Sequence, residues 1–237
     1  MKALYIFPHP DDESFGPAAG ISRQVRAGHS VSLLTLTRGG ATKQRHKFGY
    51  TVEEMGAVRF REMQAVAGVL GLNPMIVLDF PDSGLKELDP REMERTIERH
   101  ILDIEPDVIV TYPVHGISGF HDHLVTHAVV KRLFLSLRER DGYRPRRLAF
   151  FTIGERTAAA IEHFKLNYSA IDDIDCIVPV EAEDTERMRR ALECYETYRD
   201  VIEATGIGDS IGDEVYYELF QERFEPKLTG LFDQLPD

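Results

Sequence analysis

Apolar residues fall in short solid runs along this chain. Residues 2–7 (KALYIF), 30–37 (SVSLLTLT), 75–79 (MIVLD) and 107–111 (DVIVT) are too short for ordinary helices and too uniformly apolar for strands with one wet face. Such runs suit strands buried on both sides of a parallel sheet. Between them lie longer, helix-compatible stretches. Residues 15–27 end at Gly28, and residues 53–70 end at Gly71. A third helix opens with Asp89 as N-cap and Pro90 in the first position, and a fourth is predicted over 124–137. Glycine just past a helix end and proline just inside its start follow from backbone geometry at the termini. The alternation predicts an α/β fold with a mostly parallel sheet and helices on both faces. Farther on, strands are predicted at 148–153 and 174–178 and a helix over 181–199. The stretch 214–224 (EVYYELFQERF) is ambiguous and is read as a strand. With no repeat or linker, the chain reads as one domain, 1–237, with a core over about 1–155 and a C-terminal elaboration over about 156–237.

In a parallel sheet every strand ends at the same edge, and ligands bind there where the strand order reverses. The loops after the first four strands read PHPDDES, TRGGATKQRHKFG, FPDSG and PVHGISGFHDHLVTH. Five of the chain's nine histidines (His9, His46, His115, His121 and His123) fall in them, and His127 follows just inside the next helix. The first loop also packs three acids together, Asp11, Asp12 and Glu13. Adjacent carboxylates repel unless they face water or a positive charge sits among them. Taken alone, D-D-E reads more readily as a helix cap with acids favoured by the helix dipole. Its co-occurrence with histidines at a second strand end tilts the reading to a metal site. A catalytic zinc takes about three protein ligands from His and carboxylates and keeps a position for water. Asp12 can then ligate while Asp11 faces the open position as general base.

Bulk properties narrow the options. The 237 residues suffice for one sizeable core, and a net charge of −12 argues against general binding of nucleic acid or anionic membrane. No apolar run approaches a membrane span, and Met1-Lys2 leads straight into a strand rather than a signal pattern, so a cytoplasmic protein is expected. The two cysteines, Cys176 and Cys194, give no disulfide framework and no zinc-knuckle spacing. The G-x-G-x-x-G, P-loop and G-x-S-x-G patterns are missing as well.

His9-Pro10-Asp11-Asp12-Glu13 followed by Asp122-His123 resembles the LmbE/PIG-L family of zinc-dependent N-acyl-sugar deacetylases. Weaker matches include Thr37-Arg38-Gly39, Arg59-x-x-Glu62, Leu70-Gly71 and Asp79-Phe80-Pro81-Asp82, and the likeness fades after residue 140. The resemblance implies a Rossmann-like fold and one zinc per chain, with other divalent metals open. It carries the metal ligands onto His9, Asp12 and His123 and the general base onto Asp11. Glu13 would support the site from behind the ligands, and Asp122 would orient or relay charge beside one. Arg59, and beside it Arg38, would grip an anionic part of the substrate; for Arg59 a helix-surface salt bridge is the alternative. The implied substrate is a small amino-sugar conjugate, such as an N-acetylglucosaminyl malate or inositol, and a homo-oligomer stays open.

One departure stands out. The family pattern H-P-D-H is Phe120-His121-Asp122-His123 here, so the first histidine is missing. His121 is the favoured replacement, His115 the other, and loss of an acid group the third reading. Two rivals to a deacetylase follow: a metal-dependent phosphohydrolase, suggested by His121-Asp122, and a non-catalytic metal or sugar binder, suggested by Phe120.

Overall fold

β1 (Lys2–Phe7) is buried at every residue after Lys2. It is an interior strand, third from one edge, of a seven-stranded sheet in a computed structural model that describes residues 1–161, 164–210 and 212–236. After β1 come α1 (Ala18–Arg26), β2 (Ser30–Thr37), the short α2 (Arg45–Phe48) and α3 (Val52–Leu70). Next are β3 (Met75–Phe80), α4 (Pro90–Ile104), β4 (Val108–Thr111), α5 (His121–Arg138) and β5 (Arg147–Thr152). The rest comprises α6 (Glu155–Ala160), β6 (Cys176–Pro179), α7 (Ala182–Glu193), α8 (Arg199–Thr205), α9 (Ile207–Ser210) and β7 (Glu214–Leu219).

The strand order is β3-β2-β1-β4-β5-β7-β6. The first five are parallel; β7 runs antiparallel to both β5 and β6, so the C-terminal elaboration extends the same sheet. Alternate residues of β1 feed two cores. Ala3, Tyr5 and Phe7 pack with Ile21, Met63, Val66, Met188 and Leu192 from α1, α3 and α7. Leu4 and Ile6 pack on the other face with Met93, Ile97, Val130 and Phe134 from α4 and α5. This is the α/β arrangement expected from the runs. The order moves outward from β1 through β2 to β3 and then restarts at β4 on the other side. The reversal therefore lies between β1 and β4, and the loops after those strands face one crevice.

Several boundaries differ from expectation. α1 starts at Ala18, because residues 10–17 form turns in which the Asp11 carbonyl accepts from the amides of Ser14 and Phe15. The long 38–51 connection contains α2. α3 opens with a full capping box between Thr51 and Glu54. α5 begins at His121, so the H-D-H segment is the first helical turn and not a loop. The helix expected over 181–199 ends at Glu193, and the strand expected over 214–224 ends at Leu219.

Candidate metal centre

The turn after β1 brings three potential ligands into reach. One ligand atom each from His9, Asp12 and His123 lies within 4.8 Å of the others. His9 Nδ1 is 3.6 Å from Asp12 Oδ2, and His123 Nε2 is 3.4 Å from Asp12 Oδ1. Each donor is held from behind. Asp12 accepts from the His9 amide at 2.8 Å and from the Tyr112 hydroxyl at 2.7 Å. His123 donates Nδ1–H to the Gly116 carbonyl at 2.9 Å, which leaves its Nε2 lone pair facing Asp12. The Tyr112 ring stacks on the His123 imidazole with centroids 4.2 Å apart. Gly116 adopts φ 61°, and a Cβ there would stand 2.9 Å from His123 Cβ, so glycine is what lets the loop pass this close.

A second set, His9, Asp82 and Asp122, satisfies the same distance. It is better read as the support of the first. His9 Nε2 donates to Asp122 Oδ2 at 3.2 Å, which fixes the tautomer and turns Nδ1 toward Asp12. Asp122 also accepts from the amides of Ser83 at 2.8 Å and Leu85 at 3.2 Å. Asp82 adds a carboxylate oxygen 3.4 Å from the same His9 nitrogen.

The charges suit a cation among these groups. Burial opposes protonation of His9, yet its hydrogen bonds to Asp12 and Asp122, with the charges of Asp12 and Asp82, push its pKa up to about 10. Burial alone would raise Asp12, but His123 and His9 hold its carboxyl below the ordinary range. Burial pulls the His123 pKa below its ordinary value, which favours the neutral form that a ligand takes. The carboxylates are thus paired with a positive charge on an imidazole, and two imidazoles plus one carboxylate form a donor set that fits zinc or a similar divalent ion.

Asp11 lies on the other side of the turn. Its φ is 84°, unusual for a non-glycine residue. Arg59 Nη2 donates to Asp11 Oδ2 at 2.6 Å and to the Pro10 carbonyl at 2.8 Å. Burial pushes Asp11 up to about 6 against the pull of that guanidinium. Gly39 (φ 63°) makes room, since a Cβ there would stand 2.5 Å from Arg59 Nη1. Glu13 is fully buried and accepts from the Ser14 and Tyr195 hydroxyls at 2.6 and 2.7 Å. Its second oxygen has no partner among the described residues, and burial raises its pKa to about 7.

Other expectations meet a different geometry. Arg59 is 1% exposed and committed to Asp11, Pro10 and Gly39, so it holds the turn and is not placed to reach a substrate. Arg38 Nε lies 3.2 Å from Asp79, with its guanidinium over the Phe60 ring. His121 occupies the first position of α5 and is exposed, whereas Asp122 and His123 turn inward. His115 and His127 line a separate cavity of about 410 Å³ beside β7. His46 lies on α2 against Arg45. Phe120 is 58% exposed with its ring edge-on to His123. Tyr112, Asp82 and Tyr195 were not foreseen. Only Asp82 carried a sequence signal, inside Asp79-Phe80-Pro81-Asp82.

The sequence model of the family described as "PIG-L: GlcNAc-PI de-N-acetylase" matches residues 4–134, more than half of the chain, with His9, Asp11, Asp12 and His123 inside the match. The chain belongs to this family. A probable N-acetyl-alpha-D-glucosaminyl L-malate deacetylase 2 from Bacillus anthracis is 28% identical over 122 residues, covering 50% of this chain and 54% of that protein. The match thus spans about half the length of that relative. Among solved structures, the zinc-inhibited form of teicoplanin deacetylase Orf2 superposes with a TM-score of 0.73 at 15% identity, covering 92% of this chain and 97% of that one. GalB, a 4-carboxy-2-hydroxymuconate hydratase from Pseudomonas putida KT2440, superposes with a TM-score of 0.68 at 14% identity, covering 94% and 97%. These likenesses show the fold alone, and a fold can carry more than one reaction. No helix among the described residues is long and apolar enough to cross a membrane.

Proposed function

We propose that this protein is a zinc-dependent N-deacetylase acting on an N-acetylglucosaminyl conjugate. The observation that carries the reading is the His9–Asp12–His123 donor set beside Asp11, at the strand reversal of a chain in this family. His9 Nδ1, Asp12 and His123 Nε2 would hold the ion. When bound, it would acidify a water molecule and withdraw charge from the amide oxygen. The chain's own groups do the rest. Asp11 takes the proton of the attacking water and returns it to the departing amine nitrogen, so water and amide become acetate and free amino sugar. Arg59 keeps Asp11 ionised and aimed. Asp122 keeps the His9 imidazole in the ligating tautomer. Asp11 can serve as both base and acid, so the exchange of the motif histidine for Phe120 leaves a complete proton path. Phe120 instead offers an exposed aromatic face beside the centre.

Of the cations on the 38–51 connection, Arg38 pairs with Asp79 and Lys47 with Asp200, which leaves these two less free to meet an anionic aglycone. A helical HD-type phosphohydrolase does not fit the parallel sheet. The test is acetate release from N-acetylglucosaminyl malate and inositol by zinc-loaded protein, beside the Asp11→Asn variant. Release slowed by between about a hundredfold and ten-thousandfold by the substitution is expected. Ligand binding without release by the wild type would favour a non-catalytic binder, and phosphate release from a phosphoester without acetate release would favour a phosphohydrolase.

A further inference from the structure

The stretch matched by the family ends at residue 134, yet the base side of the crevice is completed by residues far beyond it. The chain between α7 and α8 reaches the site at three points. Tyr195 is 1% exposed, and its hydroxyl accepts the Asp11 amide at 2.8 Å while donating to Glu13 at 2.7 Å. Thr197 gives its amide and its hydroxyl to the Glu62 carboxylate of α3 at 2.8 and 2.7 Å. The Tyr198 ring lies under the Arg59 guanidinium, 4.2 Å from its carbon, and its hydroxyl donates to Thr42 at 2.6 Å.

The Tyr195 and Tyr198 contacts converge on one residue, Asp11. Asp11 sits at a positive φ, a costly conformation for a side chain-bearing residue unless its surroundings over-determine it. Its carbonyl is used by the turn and its carboxylate by Arg59, leaving the amide. Tyr195 supplies that partner, and a single hydroxyl can accept one bond and donate another, as this geometry needs. Tyr198 acts on the same residue from the other end, by holding the guanidinium that aims the carboxylate.

We propose that Tyr195, with Tyr198 behind Arg59, is a positioning residue for the general base: the C-terminal elaboration sets the orientation of Asp11 and leaves the metal ligands to the family core. The proposal rests on the deacetylase reading. Its consequence is a division of labour within one chain. The core assembles the ion site, and the segment 195–198 decides whether the base beside it is aimed.

The experiment compares Tyr195→Phe in the wild type and in an Asp11→Asn background, on zinc-loaded protein with the acetylated conjugate. In the wild type kcat is expected to fall about tenfold with KM and metal content unchanged. In the Asp11→Asn background the same change is expected to cost less than about twofold, because Tyr195 acts through the missing carboxylate. Equal losses in both backgrounds, loss of metal, or a rise in KM alone would overturn the proposal. Amide hydrogen exchange of the unaltered protein needs neither substrate nor variant. A protected Asp11 amide is expected, and exchange at the rate of an open turn would overturn the proposal even if Tyr195→Phe did not fold. Failure of the wild type to release acetate, with the Asp11 amide protected, would sink the deacetylase reading while leaving the contact between the segment and the turn standing.

Discussion

The two sides of the turn at residues 9–13 are built differently. On the ligand side, His9, Asp12 and His123 are held by Tyr112, Gly116 and Asp122, all from the loop after β4 and the start of α5. On the base side, Asp11 is held by Arg59 from α3 and by Tyr195 from beyond the sheet's parallel half. Neighbouring residues of one turn thus answer to separate parts of the chain. The ion site needs fixed lone pairs, and short loops across the strand reversal supply them. The base needs a fixed direction, and a buried cation and a distant hydroxyl supply that.

The comparison breaks most visibly when each side is damaged alone. His123→Ala removes one of three ligands, so about one zinc per chain should fall to none, and acetate release should fall to background. Asp11→Asn should retain the zinc and lower kcat by between about a hundredfold and ten-thousandfold. Elemental analysis beside steady-state kinetics checks both. Loss of metal in Asp11→Asn would show that the two sides are not separable.

A smaller effect sharpens the ligand side. Asp122 touches no ion in this reading, yet it fixes the His9 tautomer. Asp122→Asn should weaken zinc affinity by about tenfold to a hundredfold while the protein stays folded. Competition with a chelator of known affinity measures it. Unchanged affinity would mean that His9 is oriented by Asp82 or by packing instead.

The ligand side was legible in the sequence and the base side was only half so, for physical reasons. His9 to Glu13 is one contiguous stretch at the end of an apolar run, and His123 follows the next run on the far side of the reversal; strand order brings such ends together. The first turn of α5 was read as a loop because Phe120 offers no capping side chain and the polar H-D-H looks like a turn. That reading also hid the direction of His121, since successive helical residues point about 100° apart and only Asp122 and His123 face inward. Arg59 reads in the sequence as a grip for an anionic substrate group, or else a helix-surface salt bridge, because nothing local announces that a guanidinium will be buried. Its partners are Asp11, the Pro10 carbonyl and Tyr198. Tyr195 lies 184 positions from Asp11, a separation no periodicity encodes.

The smallest predicted effect concerns stability, and it probes the base side from beneath. Burial raises Glu13 from 4.5 to about 7. Between those values the folded protein keeps a proton that the unfolded chain has released, so stability falls as pH rises through this window. The loss is at most about 3 kcal/mol, complete above the folded pKa and missing below about 4.5. Glu13→Gln cannot ionise, and its carbonyl oxygen can still accept from Tyr195 and Ser14. Metal-free wild type and Glu13→Gln, unfolded in urea at pH 5 and at pH 8, should therefore differ more at pH 8, with the variant gaining relative to wild type. Parallel pH dependences would mean that Glu13 ionises at its ordinary value, and that the hydroxyls of Ser14 and Tyr195 compensate its burial more fully than the unpartnered second oxygen suggests.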